Sequence, residues 1–229
     1  MFLTFLKLQW KSFFRGESVG VDITTKIFKW FWIVYFALII PALGLLTYDV
    51  LKESLDIKDP FLFINKQLIY AFVYFIVFRY FVQAIPVISI KSLLLTPISK
   101  SQIVRHALGK SVLSFFNLIV FIYIIPLTFV LISEEYDTNQ LIGWNLGIIA
   151  IVYITNYLNF LLNNNDKLLY SIGAILVIIK LLEYYSIFDF TIYSEAFFYS
   201  FYTNPLYSIL PWVFLIWLYF YVFRYFKKL

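Results

Sequence analysis

A chain of 229 residues in which 62% are hydrophobic and only 14% are charged has too few polar side chains to cover a soluble domain. A bilayer removes that requirement, because apolar side chains can face hydrocarbon. The absence of cysteine excludes disulfides, thiolate metal sites and a cysteine nucleophile. The formal charge of +5 favours an anionic lipid surface over nucleic acid as partner, since the basic residues lie beside hydrophobic segments.

The chain begins with an amphipathic segment. On a helical wheel, residues 2–15 place Lys7, Lys11 and Arg15 on one side and large apolar residues on the other. Lysines interrupt the apolar stretch too often for the core of a secretory signal. We therefore expect an interfacial helix and linker over residues 1–27, on the cytosolic face of the membrane. The alternative is the first turn of a long first span, which the glycines after this segment disfavour.

Six hydrophobic segments follow, and a crossing takes roughly 20 helical residues. Asp59 and Pro60 occupy the N-cap and first-turn positions that start the second segment. The fifth segment is short for a crossing. The stretch after it, residues 184–205, is either a short helix at the outer leaflet or the completion of this span. The predicted spans are Phe28–Tyr48, Pro60–Ile85, Val112–Ile132, Leu141–Leu162, Leu168–Leu182 and Leu206–Phe226.

The distribution of basic residues predicts the orientation. Lysine and arginine near short loops resist translocation, and most of the 18 basic residues fall on one side if the amino terminus is inside. The last of an even number of spans is also followed by Lys227 and Lys228. We therefore expect one all-α transmembrane domain over residues 1–229, multi-pass in a bacterial inner (plasma) membrane, with both termini in the cytosol.

Two short motifs resemble catalytic ones without their context. Gly16–Gly20 matches the nucleophile-elbow pattern, but no strand precedes it and the single histidine is His106. Gly109–Ser111 resembles the tail of a phosphate-binding loop, yet Val104 stands where the motif needs glycine. His106 lies among basic residues of a predicted loop and is interpreted as a surface histidine. We expect no catalytic residue, no metal site and no cofactor.

Ionisable residues inside spans cost about 2.5 to 3.5 kcal/mol at the helix centre, so each needs an explanation. Arg79 lies near the inner end of the second span, where its side chain could snorkel to the cytosolic face. Anchoring of this kind is favoured over lining of a cavity. Lys180 and Glu183 are three residues apart on the fifth segment and are expected to form a structural ion pair.

Other polar and small residues in the spans predict contacts between helices. Gly143 and Gly147 form a G-x-x-x-G pattern that allows close packing. Asparagines in the third and fourth spans are expected to tie helices together. These are Asn117, Asn145, Asn156 and Asn159. The intramembrane polar candidates for a functional site are Arg79, Asn117, Lys180 and Glu183.

The loop between the second and third spans, residues 86–111, is too polar to cross the membrane and too apolar for a free linker. It contains two prolines, and a short amphipathic helix is predicted after Pro97 with Ser99 as its cap. We expect this segment to lie on the cytosolic rim and to offer Leu95, Ile98 and Ile103 to a partner.

The segment Leu94–Ile103, with the sequence LLTPISKSQI, resembles the segment that leads into the coupling helix of bacterial type-2 ABC exporter permeases. The six-span layout and the amino-terminal interfacial helix are similar to that family. The resemblance implies a separate ATP-binding subunit in trans and either a homodimer or a second permease half. The residues that would bind the ATPase are Leu95, Pro97, Ile98, Ser99, Lys100, Gln102, Ile103 and Arg105.

Phe5–Arg15 and Gly109–Asn117 more closely resemble an uncharacterised bacterial membrane family related to those permeases. This resemblance covers about residues 1–130, and members of that family are longer. By this comparison the chain is either a short form or one half of such a protein.

The leading hypothesis is therefore the membrane-spanning permease subunit of an ABC-type exporter, with no catalytic role of its own. The alternative is a membrane scaffold or assembly factor whose loop binds a different partner. A lipid-modifying enzyme is disfavoured, because such chemistry usually needs clustered His, Asp or Glu at the membrane face.

Overall fold

The computed structural model describes residues 23–83, 99–163 and 166–228, and these residues form an all-α bundle. A π-helical turn follows the first helix at Val50–Ser54, and a 3-10 turn precedes the last at Pro205–Ser208. The helices are α1 (Ile23–Asp49), α2 (Pro60–Val82), α3 (Lys100–Val112), α4 (Phe115–Ser133), α5 (Thr138–Leu162), α6 (Asp166–Tyr184), α7 (Thr191–Thr203) and α8 (Ile209–Lys228).

Five stretches of the described chain are helical, long and apolar enough to cross a membrane, so the protein is an all-α, multi-pass membrane protein. They are Val34–Ser54, Pro60–Val82, Lys100–Ser133, Thr138–Leu162 and Pro205–Lys228. The predicted amino-terminal amphipathic helix lies outside the described residues, as does the first half of the predicted cytosolic loop.

Several boundaries differ from the predicted ones. α1 begins at Ile23, inside the predicted linker. The predicted third span corresponds to α4, and the short helix predicted after Pro97 corresponds to α3. The predicted fifth span corresponds to α6, which has 19 residues but is not among the five stretches. α6 carries four charged residues, which set it apart from the five apolar stretches, and it is the segment that the sequence indicates to be short for a crossing.

The start of α2 follows the predicted signals. Asp59 is the N-cap, its carboxylate accepts a hydrogen bond from the backbone N–H of Leu62 at 3.0 Å, and Pro60 is the first helical residue. A side-chain cap of this kind satisfies one of the backbone donors that a helix start leaves free.

Contacts along the helices establish their directions. Phe36, midway along α1, contacts Phe115 at the start of α4, and Thr47, near the end of α1, hydrogen-bonds to Tyr123 further along α4. α1 and α4 are therefore parallel. α2 runs against α4, because Arg79 at its end bonds to Asn117 at the start of α4.

α5 and α8 are also parallel to each other. Trp212 near the start of α8 donates to the carbonyl of Leu146, and Phe226 near its end contacts Phe160. The chain between the end of α5 and the start of α8 must therefore return the length of the bundle. We call the end where α2 and α5 finish and α3 begins the α3 end, and the opposite one the far end.

α6 and α7 make this return in two pieces. Glu183 near the end of α6 hydrogen-bonds to Tyr70, the eleventh of the 23 residues of α2. α7 continues from that level, because Ser194 donates to the carbonyl of Asn65 and Tyr202 contacts Phe61 at the first turn of α2. Of the two alternatives for residues 184–205, the structure therefore has the completion of the fifth span. The described chain starts and finishes at the α3 end.

At the far end, an ion pair connects the π-helical turn after α1 to the segment after α4. Lys52 Nζ lies 2.6 Å from Glu134 Oε2, and both side chains are substantially exposed. The hydrogen bond from Lys52 holds the pKa of the Glu134 carboxyl below its usual value. An exposed pair of this kind adds little stability, and its main effect is to orient the loops.

The G-x-x-x-G pattern of α5 allows α7 to approach closely. A Cβ atom built on Gly147 would lie 2.8 Å from Cγ of Phe201, and one built on Gly143 would lie 2.6 Å from Cα of Pro205. The predicted close contact is therefore made inside the chain, between α5 and the segment that completes the broken crossing. Phe201 is itself almost fully buried, so its ring has little room to move.

Gly147→Ala should therefore destabilise the protein, by about 1–3 kcal/mol for an overpacked core. The matched control is Gly173→Ala on α6, where an added Cβ meets nothing within 4 Å and where alanine should gain up to about 1 kcal/mol of helix propensity. Thermal unfolding of both purified variants in detergent measures the difference. Equal midpoints for the two variants would contradict the packing described here.

The direction of the helices predicts which positions share a side of the membrane. Cysteines introduced as Gln102→Cys on α3 and Lys227→Cys on α8 should react with an impermeant maleimide from the same side, and Glu53→Cys from the other. All three residues are exposed, and the chain has no native cysteine to give background. Labelling of positions 102 and 227 from opposite sides would exclude the two-piece crossing.

Candidate functional site

Arg79, in the last turn of α2, is fully buried at 0% exposure. Its Nη2 lies 2.6 Å from Oδ1 of Asn117 on α4, and its Nη1 lies 3.3 Å from Oδ1 of Asn156 on α5. The guanidinium carbon is 4.3 Å from the centre of the Phe75 ring, which adds a cation–π contact. The prediction that Arg79 snorkels to the membrane surface is therefore wrong, because two buried amide oxygens draw the side chain inward.

The amide partners of Arg79 are held by α3. Asn117 donates to the carbonyls of Ser111 at 3.0 Å and Val112 at 2.9 Å, which are the last residues of α3. Asn156 donates to the Ser111 hydroxyl at 2.9 Å. Each amide NH₂ is thus bonded to α3 while its oxygen accepts from Arg79. We call this group the polar hub; it consists of Arg79, Gln83, Ser111, Asn117 and Asn156.

The positive charge of the hub has no carboxylate among its hydrogen-bond partners in the described part of the chain. Three buried polar atoms at the hub or beside it also have no hydrogen-bond partner there: Arg79 Nε, Gln83 Oε1 and Ser114 Oγ. The adjoining segment of sequence, residues 84–98, contains no Asp or Glu. Burying an ion without a counterion costs several kcal/mol, so the buried charge of Arg79 is the costliest feature of the hub.

α3 has one face in the bundle and one face outside it. Val104 and Leu108 pack in an apolar cluster with residues of α5 and α8, and Ile103 is only 2% exposed. The prediction that Ile103 faces a partner is therefore wrong, since it belongs to the buried face. Gln102 and Arg105 are exposed, as the prediction requires.

The remaining residues of the predicted partner surface fall into two groups. Leu95, Pro97 and Ile98 lie outside the described residues. Ser99 occupies the N-cap position of α3 but makes no side-chain capping bond, and Lys100, which follows it, is half-buried. His106 is also half-buried rather than freely solvated as predicted.

The predicted pair of Lys180 and Glu183 forms, with 2.9 Å between Nζ and Oε2. It lies at the break between α6 and α7, where Glu183 also accepts from Tyr70 and the Lys180 ammonium sits 3.5 Å from the centre of the Tyr70 ring. Lys66 and Glu195 form a second pair nearby, at 3.4 Å. All four charges have partners, so this cluster stabilises the break and is not a second unpaired site.

Sequence reasoning missed several buried polar residues. Asn65 on α2 is fully buried and accepts from the indole of Trp144 at 2.8 Å, while Ser194 links it to α7. The sequence singles out Ser111 only as part of the weak resemblance of Gly109–Ser111 to a phosphate-binding loop. The available signal was a polar residue within an apolar helix, the same signal that singled out Asn117. Of the predicted asparagines, Asn145 bonds to Thr128 between α4 and α5, as expected.

Together these features define an all-α, multi-pass membrane protein with a buried cationic hub. In the described residues, no group of three His, Cys, Asp or Glu residues could hold a metal ion. A model of the family of unknown function DUF5687 matches residues 9–229, so the chain belongs to that family. No curated protein and no solved structure matches the chain.

Replacing Asn117 by leucine removes the acceptor closest to the guanidinium. Hydrogen bonds to charged groups contribute about 1.5–3 kcal/mol, so Asn117→Leu should lower the free energy of unfolding by that amount. Asn145→Leu, which breaks a neutral bond between α4 and α5, should cost only about 1 kcal/mol. Denaturant titration in mixed micelles compares the two variants. A smaller effect at position 117 would show that the hub does not carry the predicted charge.

Proposed function

We propose that the protein is the membrane-spanning permease subunit of an ABC-type exporter, driven by a separate ATPase. The observation that supports this most is the position of α3, which lies at the edge of the bundle with its two faces in different surroundings. One face of the helix, with Gln102 and Arg105, is exposed, and the other packs on α5 and α8. A helix held in this way can receive force from a partner and pass it into the bundle.

The route for that force runs through the end of α3. Ser111 and Val112 are bonded to Asn117, and the Ser111 hydroxyl is bonded to Asn156. Only Leu113 and Ser114 separate α3 from α4. Movement of α3 would therefore shift the amide oxygens that hold Arg79, and with them the contact between α2, α4 and α5.

In this proposal the α3 end faces the cytosol of a bacterium, where ATP is available, and both termini lie on that side of the inner membrane. The working unit is a homodimer or a pair with a second permease half. The protein itself carries out no catalysis. A scaffold or assembly factor would use the same exposed face of α3 to bind a partner that is not an ATPase.

Purification of the tagged chain from its native membrane in mild detergent tests the proposal. A nucleotide-binding subunit should copurify, and Arg105→Glu combined with Gln102→Glu should reduce its recovery at least tenfold, since unfavourable charges at a docking face cost several kcal/mol. The matched control is Lys110→Glu, an exposed basic residue near the end of α3. Its recovery should equal that of the wild type.

Two outcomes would contradict the exporter. Recovery of a partner without nucleotide-binding activity would favour the scaffold. Turnover of a lipid by the partner-free chain would favour the enzyme.

A further inference from the structure

An apolar cavity of about 220 Å³ lies between α2, α4 and α5, next to the polar hub. Side chains such as Leu68, Phe72, Ile124 and Leu127 line it. The volume exceeds the roughly 150 Å³ of engineered apolar cavities that stay dry and bind benzene. Hydrocarbon is therefore the chemistry that suits this space, and water is not.

Phe75 connects the cavity to the charge of the hub. Its ring lines the cavity and also lies 4.3 Å from the guanidinium carbon of Arg79. One aromatic side chain thus separates a hydrocarbon-lined space from a fully buried cation. Phe75 is itself only half-buried, which leaves its ring room to change rotamer.

Among the described residues, the hub leaves polar atoms without partners. Arg79 Nε, Gln83 Oε1 and Ser114 Oγ are buried without partners, and no carboxylate neutralises the guanidinium among the described residues. A planar guanidinium binds carboxylate and phosphate groups through two parallel N–H bonds. Asn117 and Asn156 each accept one N–H, from Nη2 and Nη1. Of the five guanidinium N–H donors, the one on Nε and one on each terminal nitrogen have no partner among these bonds, so Nε–H and a neighbouring N–H can face a ligand together.

We propose that Arg79 and this cavity together bind an anionic amphiphile, with its carboxylate or phosphate head at Arg79 and its single hydrocarbon chain in the cavity. Phe75 must rotate to join the two halves of the site. The ligand would be the substrate of the exporter, so its role in transport rests on the proposed function. Binding of the ligand does not depend on that function, because the purified protein contains the whole site.

Trp144 provides a reporter, because it lines the cavity on the side of α5. The full chain is placed in phosphatidylcholine nanodiscs and titrated with dodecyl phosphate brominated at the end of its chain, which quenches nearby indoles. Saturable quenching is expected, and it should be lost in Trp144→Phe, which assigns the signal. Brominated dodecyl maltoside, which has the same chain and a neutral head, should bind at least tenfold more weakly.

Three variants examine the two halves of the site. Arg79→Gln should weaken binding of the phosphate about tenfold or more, the equivalent of one charge-assisted hydrogen bond, and Arg79→Lys should recover part of it. Ala71→Phe should block the cavity, since Ala71 lines it. The matched control is Ala196→Phe on α7, an exposed alanine outside the cavity lining, which should leave binding unchanged.

Equal affinity for the neutral and anionic probes would overturn the proposal, as would full binding to Ala71→Phe. Displacement of the probe by inorganic phosphate at a similar concentration would also overturn it, since the hydrocarbon chain of the probe would then contribute nothing to binding. If Arg79→Gln fails to fold, the comparison of head groups and Ala71→Phe still decide the question. Loss of ATPase copurification with intact probe binding would refute only the proposed function.

Discussion

The structure depends on one buried guanidinium. Arg79 enters an apolar interior where an unpaired ion costs several kcal/mol, and the only hydrogen-bond partners that the described chain supplies for it are amide oxygens from two other helices. These bonds require the end of α2, the start of α4 and the second half of α5 to meet at one point. The amide NH₂ groups of Asn117 and Asn156 then bond to the end of α3, so that four helices share one polar contact.

This arrangement joins a surface helix to the interior of the bundle. Apolar side chains pack α3 against α5 and α8, and such contacts do not fix the orientation of the helix because the hydrophobic effect is non-directional. The bonds through Ser111 add direction, because each has a defined donor and acceptor. In the proposed exporter, the exposed face of α3 would contact the partner, and its buried end would pass the movement to the charged network inside the bundle.

The second constraint is the crossing made of α6 and α7. A helix that stops halfway along α2 leaves backbone groups and charged side chains where an uninterrupted span would have neither. Lys180, Glu183 and Tyr70 satisfy one another there. α7 can then fit beside α5 only because Gly147 has no side chain to meet Phe201. Among the described residues, the positive charges at the broken crossing are therefore paired with carboxylates, whereas Arg79 in the hub has no carboxylate partner.

The membrane class, five of the six spans and the start of α2 at Asp59 followed from composition and local pattern, because hydrophobic length and helix caps depend on neighbouring residues. The pairing of Lys180 with Glu183 followed from their spacing. The inward orientation of the Arg79 side chain could not be predicted from neighbouring residues, since its partners lie 38 and 77 residues further along the chain. The same holds for Ile103 and for α7: an amphipathic segment can bury its apolar face against lipid, a partner or its own bundle, and only the tertiary packing decided that both lie in the bundle.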